Sequence, residues 1–153
     1  MNGGLSNGMK ISNRRAFYDY KIEDSIEAGI NLTGGEVKSV KAGHADLTGS
    51  FVRIIGSEAY LVNAKIFPYQ KARAETIEEG RTRKLLLHKN QIISLKSRTE
   101  GANLALVPLS LYTKNGLIKV DIGIGSGKRK FEKKEAKKKR DLSRIIEDEI
   151  FDI

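Results

Sequence analysis

A chain of 153 residues, 39% hydrophobic and 31% charged with a formal net charge of +9, has room for one globular core and a charged segment beside it. The absence of cysteine excludes disulfides and thiolate metal ligation, and no apolar run approaches the ~18 residues that span a bilayer. A pI near 9.7 favours a polyanionic partner, nucleic acid or acidic lipid.

Residues 1–12 read as a flexible extension. The glycine- and asparagine-rich start lacks the charged and apolar regions of a signal peptide, and Met9 is a candidate natural start. A strand is expected over Tyr18–Leu32. Thr33-Gly-Gly-Glu36 has the spacing of a capping box, opening a helical turn in which Val37 and Val40 share a face and Gly43 ends the element. Phe51–Ile55 and Glu58–Val62 flank Gly56-Ser57, which suits a tight hairpin turn. The stretch Pro68–Gly80, with Glu75, Glu78 and Glu79, reads as an exposed loop.

A second helix is expected from Lys89 to Arg98, burying Ile92, Ile93 and Leu95 and stopping at Gly101. Leu104–Tyr112 and Leu117–Ile124 flank Asn115-Gly116, a strong hairpin signal, and in the latter run Ile118, Val120, Ile122 and Ile124 alternate with wetter positions. The glycines of Gly123–Gly127 read as a flexible hinge leaving the last strand. Several strands broken by short helices predict a mostly β fold, with an OB-like closed antiparallel barrel over 13–127.

Residues 128–153 are of another character. Lys128–Arg140 holds nine Lys or Arg against Glu132 and Glu135, a net +7, whereas 141–153 is net −4. Leu142, Ile145, Ile146 and Ile150 lie at i, i+3, i+4 and i+8, one stripe of a helix, and Glu135 precedes Lys139 by four. A helix of that length is marginal alone in water, so the tail is expected to be disordered in solution and helical against a partner.

The catalytic inventory is thin. Gly123-Ile-Gly-Ser-Gly-Lys128 lacks the upstream glycine and the following Ser or Thr of a phosphate loop. The two histidines have no zinc-site spacing, no nucleophile elbow occurs, and neither a metal nor a cofactor is expected. Glu36 is explained by the capping box more readily than as a general base. Nucleic-acid features are better populated: Arg81-Thr-Arg-Lys84 leads into Leu85-Leu-Leu87, Lys38 and Lys41 share one turn, and Arg14-Arg15 precede Phe17, Tyr18 and Tyr20.

Asn13-Arg-Arg-Ala16, Glu27-Ala-Gly-Ile30, Gly35-Glu-Val-Lys-Ser39, Ala42-Gly43, Arg81-Thr-Arg-Lys-Leu-Leu-Leu-His88, Leu111-Tyr112, Lys114-Asn-Gly116 and Gly127-Lys128 occur in this order. Together, over roughly residues 12–150, they resemble the small protein B family, the SsrA-binding proteins of bacterial trans-translation. That resemblance implies an OB-like barrel that binds the tRNA-like domain of tmRNA and delivers it, charged with alanine, to stalled ribosomes. It also implies a tail that enters the empty mRNA channel of the small subunit near the decoding centre. Alanyl-tRNA synthetase and elongation factor Tu are implied as indirect partners, and a cytoplasmic monomer without a membrane partner is expected.

By position in those segments, the resemblance implies RNA contacts by Asn13, Tyr18, Glu36, Lys38, Lys41, His44, Arg81, Arg83, Lys84 and Lys128. In the tail it implies ribosome contacts by Phe131, Glu132, Lys133, Lys134, Lys137, Lys138, Arg140, Ile145 and Ile146. Some positions depart from the family pattern. His44 stands where Lys is usual and is mostly uncharged near neutral pH. Phe131 stands where Tyr or His is usual and can stack without hydrogen bonding, and Lys134 replaces an Arg fork with a point charge. A general OB-type RNA chaperone or ribosomal protein, and an RNA-processing enzyme using Glu36 or Asp46, are the competing readings.

Overall fold

The computed structural model describes residues 9–68 and 78–128. Among them the fold is mostly β with short helices. In chain order it runs β1 (Lys10–Ser12), α1 (Arg14–Asp19), β2 (Tyr20–Ile30), α2 (Gly34–Lys41), β3 (Ala45–Asp46), β4 (Phe51–Ile55) and β5 (Glu58–Val62). It continues with β6 (Lys65–Ile66), β7 (Arg83–Leu86), α3 (Lys89–Ala102), β8 (Ala105–Lys114) and β9 (Leu117–Gly127). The main sheet is antiparallel in the order β1-β8-β9-β2-β7-β5-β4, and β3 and β6 form a separate two-stranded ribbon.

Both hairpins form as the turn chemistry dictates. Gly56 takes a φ of 61°, and Asn115 and Gly116 take 53° and 78°, the paired positive φ of a type I′ turn. The alternating residues of β9 put Ile118, Val120, Ile122 and Ile124 into the core with Ala28, Ile30, Leu61, Leu85, Leu95 and Leu111. A smaller cluster of Ala16, Val107 and Leu109 lies under α1.

The expected closed barrel does not form: β4 lies beside β8 without a hydrogen-bonded ladder between them. Part of the outer edge of β8 is already taken, since Ser110–Tyr112 pair with β1, and the rest is interrupted. Pro108 has no N–H to offer, its carbonyl accepts from Asn13 Nδ2 at 2.8 Å, and a bulge follows between Pro108 and Ser110. The seam is instead a cleft lined by Phe51, Val52, Ile54, Lys96, Leu104 and Leu106, among others.

Four further expectations are corrected. Residues 14–19, expected in part as the start of a strand, form α1. Lys10–Ser12, inside the expected flexible extension, pairs with Ser110–Tyr112 as an edge strand. Helix α3 runs past Gly101 to Ala102 and ends at Asn103 in the left-handed conformation, and Ile93 is 56% exposed whereas Ile92 and Leu95 are buried. Periodicity placed Ile93 beside Ile92, but a helix turns 100° between neighbours, and only one of them can face the sheet. The glycines of Gly123–Gly127 are not a hinge but residues of β9: a Cβ on Gly125 would stand 2.4 Å from the Lys21 carbonyl oxygen. Residues 1–8, 69–77 and 129–153 lie outside the described residues, and with them most of the expected Pro68–Gly80 loop and the expected tail.

Candidate nucleic-acid interface

Helix α2 begins with the full capping box. Glu36 N–H donates to Thr33 Oγ1 at 3.2 Å, and Thr33 N–H donates to Glu36 Oε1 at 3.0 Å. Gly35, Glu36, Ser39 and Val40 are buried, while Lys38 and Lys41 face outward. Gly43, at φ 81°, turns the chain into exposed His44. His44 N–H donates to the Ser39 carbonyl at 2.8 Å, and its carbonyl accepts from Phe67 N–H at 2.9 Å, so the backbone there is pinned on both sides.

The cap is half of what Glu36 does. Its Oε1 also accepts from Arg81 Nη2, and its Oε2 accepts from Arg83 Nε at 2.7 Å. Arg83 Nη2 approaches the same oxygen at 2.7 Å. Glu36 is 2% exposed and Arg83 is fully sealed. Burial alone would raise the Glu36 pKa, but hydrogen bonds from Arg81, the Thr33 amide and Arg83 hold it below the ordinary carboxylate value. A carboxylate held charged by two guanidiniums is not a free base. Asp46 is likewise engaged locally, accepting from Thr48 N–H at 2.9 Å.

The remaining Arg83 donors go to main-chain carbonyls. Nη1 reaches Ala64 at 2.9 Å and Arg81 at 2.8 Å, and Nη2 reaches Glu78 at 3.2 Å and Glu79 at 3.1 Å. All five N–H groups of the fork are thereby used. The structure thus gathers Glu36, Lys38, Lys41, His44, Arg81 and Arg83 around α2 and the start of β7. Lys38, Lys41, His44 and Arg81 have solvent access; Arg83 does not.

A second group surrounds α1. Asn13 is buried, with its backbone N–H on the Leu109 carbonyl at 2.8 Å and its side chain on Pro108. Arg15 lies 5.1 Å from the centroid of the half-buried Tyr18 ring and pairs with Asp19 at 3.0 Å. Phe17 is 52% exposed, a large flat apolar surface next to two arginines. Lys128 joins this group, its Nζ donating to the Phe17 carbonyl and its backbone N–H to that of Asp19, each at 2.9 Å. Lys84 belongs to neither group; it pairs with Glu58 at 3.1 Å on the outer face of the sheet.

Sequence reasoning missed the Glu36–Arg83 pair, whose members are 47 residues apart in sequence. The only available signal was that Glu36 has a cap to explain it while Arg83 sits at an inward position of a strand. It also missed the exposed cluster in which Tyr112 donates to Glu27 and Lys114 Nζ lies 3.3 Å from the same carboxylate. Desolvation and the Glu27 carboxylate push the Tyr112 hydroxyl pKa up. The tail positions Phe131, Glu132, Lys133, Lys134, Lys137, Lys138, Arg140, Ile145 and Ile146 lie outside the described residues. Among the described residues no cluster of His, Asp or Glu is arranged to hold a metal, and no helix is long and apolar enough to cross a membrane.

A basic β protein with cations on one helix face, and with exposed aromatic and arginine side chains at a second site, is of the RNA-binding class. The family model described as "SmpB protein" matches residues 10–151, and the chain belongs to that family. Relatives named SsrA-binding protein share its length closely. That of Sulfurihydrogenibium sp. is 46% identical over 143 residues, covering 94% of each chain. That of Bacillus pumilus is 47% identical over 135 residues, covering 88% of this chain and 86% of the relative. A solved chain described as "tmRNA-SmpB: a journey to the center of the bacterial ribosome" is 45% identical with a TM-score of 0.67. That match covers 84% of this chain and 94% of the solved one.

Proposed function

We propose that this protein is a non-enzymatic adaptor that binds the tRNA-like domain of tmRNA and brings it to stalled ribosomes in the bacterial cytoplasm. The observation that carries the reading is family membership over residues 10–151, which takes in both basic groups and most of the charged tail. Lys38, Lys41, His44 and Arg81 form the phosphate-facing side of α2. Tyr18 and Lys128 serve the second group, with Phe17 as a stacking surface for an unpaired base. Lys84 is a third point of charge, partly spent on Glu58. Asn13, Glu36 and Arg83, the buried members of the set, support the exposed ones rather than meeting RNA themselves.

The tail supplies the ribosome-directed half. Phe131, Lys133, Lys134, Lys137, Lys138 and Arg140 meet ribosomal RNA near the decoding centre. Glu132 opens that stretch, and Ile145 and Ile146 provide an apolar stripe that needs a partner surface. Alanyl-tRNA synthetase and elongation factor Tu act on the same RNA and are met indirectly.

Equilibrium binding to the tRNA-like domain, compared with an unrelated hairpin of equal size across a salt series, tests the reading. The expected result is a preference of about 100-fold that persists as salt rises, because shape recognition survives screening and phosphate attraction does not. Equal affinities that collapse together with salt would replace it with a general RNA binder.

A further inference from the structure

We infer that Arg83 is the positioning residue of the α2 surface, setting the geometry of Arg81 through Glu36 without touching RNA itself. The inference rests on the tmRNA-binding reading and concerns how that surface is built. Arg83 has no solvent access and its five donors are all committed, so it has neither surface nor hydrogen to offer a phosphate. Those commitments fall on α2 through Glu36, on the turn between β5 and β6 through Ala64, and on the 78–82 segment through three carbonyls. One guanidinium therefore ties together three stretches that are distant in sequence.

The charge distribution follows from the same contacts. Two guanidiniums share one carboxylate, leaving the cluster with a single excess positive charge. Arg83 is sealed, so the excess appears at Arg81, whose side chain is 36% exposed. Arg81 is held at both ends: its Nη2 by Glu36 Oε1 and its backbone carbonyl by Arg83 Nη1. A cation fixed in this way reaches a phosphate without first losing the rotamer freedom of a loose arginine. A lysine at position 83 keeps the charge but has no planar fork to serve five acceptors.

The test is a double-variant cycle on binding of the full chain to the tRNA-like domain of tmRNA, with Arg81→Gln, Arg83→Lys and their combination. Arg81→Gln is expected to weaken binding about tenfold and to lower the log–log salt slope by ~0.7–0.9, the loss of one phosphate contact. Arg83→Lys is expected to produce a similar loss and a similar fall in slope. Combined, they are expected to bind within about twofold of Arg81→Gln alone, because a residue acting through Arg81 has nothing left to lose.

Multiplied losses with a further fall in slope would mean that Arg83 meets RNA directly, overturning the proposal. An Arg83→Lys loss that persists in full in the Arg81→Gln background with an unchanged slope would also overturn it, as general loosening of the fold. Should Arg83→Lys not fold, Glu36→Gln takes its place in the cycle. It keeps the volume and the cap acceptor but removes the charge, and non-additivity with Arg81→Gln is again required. A wild-type protein with no preference for the tRNA-like domain would defeat the proposed function. The cycle, run on whichever RNA binds, would still decide the role of Arg83.

Discussion

Asn13 Nδ2 donates a 2.8 Å hydrogen bond to the carbonyl of Pro108, across 95 residues of sequence, and its backbone N–H donates to the neighbouring Leu109 carbonyl. The residue covers the one place where β8 has a proline and a bulge, and it anchors the start of α1 there. Asn13→Ala is expected to lower stability by about 1–3 kcal/mol, the range for leaving buried polar partners unpaired. Urea denaturation checks this; an unchanged midpoint would mean that the amide has no structural part.

Gly125 and Gly127 offer a matched pair. A Cβ at Gly125 meets backbone of β2, which cannot rotate away, whereas a Cβ at Gly127 meets nothing within 4 Å. Gly125→Ala is expected to cost about 1–3 kcal/mol from overpacking, and Gly127→Ala less than about 0.5 kcal/mol. Thermal unfolding of the two variants side by side would separate a strand glycine required by close packing from one that is not.

Leu95 and Ile93 make the same comparison on α3. Leu95 is buried in the core and Ile93 is exposed. Leu95→Ala is expected to lose about 2–5 kcal/mol and Ile93→Ala well under 1 kcal/mol. Equal losses in chemical denaturation would show that the helix faces the sheet with a different side.

The Glu36 carboxyl titrates below its ordinary value in the folded protein, so the unfolded chain binds that proton more readily. Its contribution to stability is complete above the unfolded pKa of about 4.3 and fades as pH falls through the lowered folded value. Glu36→Gln is expected to flatten the acid limb of a stability–pH profile, and an unaltered limb would assign it to Asp24, Glu27 or Asp46. Those three carboxyls are held low as well, by the Ser25 amide, the Tyr112 hydroxyl and the Thr48 amide respectively.

Removing residues 129–153 is expected to leave affinity for the tRNA-like domain within about threefold and to abolish peptide tagging on stalled ribosomes. Phe131→Ala is expected to bind tmRNA normally and to tag poorly, since its loss removes a stacking surface worth about 1–3 kcal/mol per base. A reconstituted tagging reaction, with binding measured in parallel, checks both. A large loss of tmRNA affinity on truncation would end the division of labour between body and tail.

What could be read from the chain was local. The Thr33–Glu36 cap, the Asn115-Gly116 turn and the alternation in β9 all appear as expected, because each depends on residues within a few positions of one another. Helix α1 was not legible: six residues with no acid in the first turn and no side-chain cap carry too little periodicity to outweigh the strand that follows. The sheet's open seam was hidden for another reason. It depends on which strand meets Pro108, and that is a matter of topology.

The amino-acid order alone determined the mostly β class, the two hairpins, the capped helix and the basic character of the surface, since propensity, turn chemistry and charge act at short range. Only the tertiary structure decided which cations remain on that surface. Arg81 and Arg83 are two residues apart and chemically identical, yet one faces solvent and the other is sealed against Glu36. Positions two apart would share a face if both lay on the strand, but β7 begins at Arg83 and Arg81 precedes it, so what each side chain meets is set by the distant segments packed there.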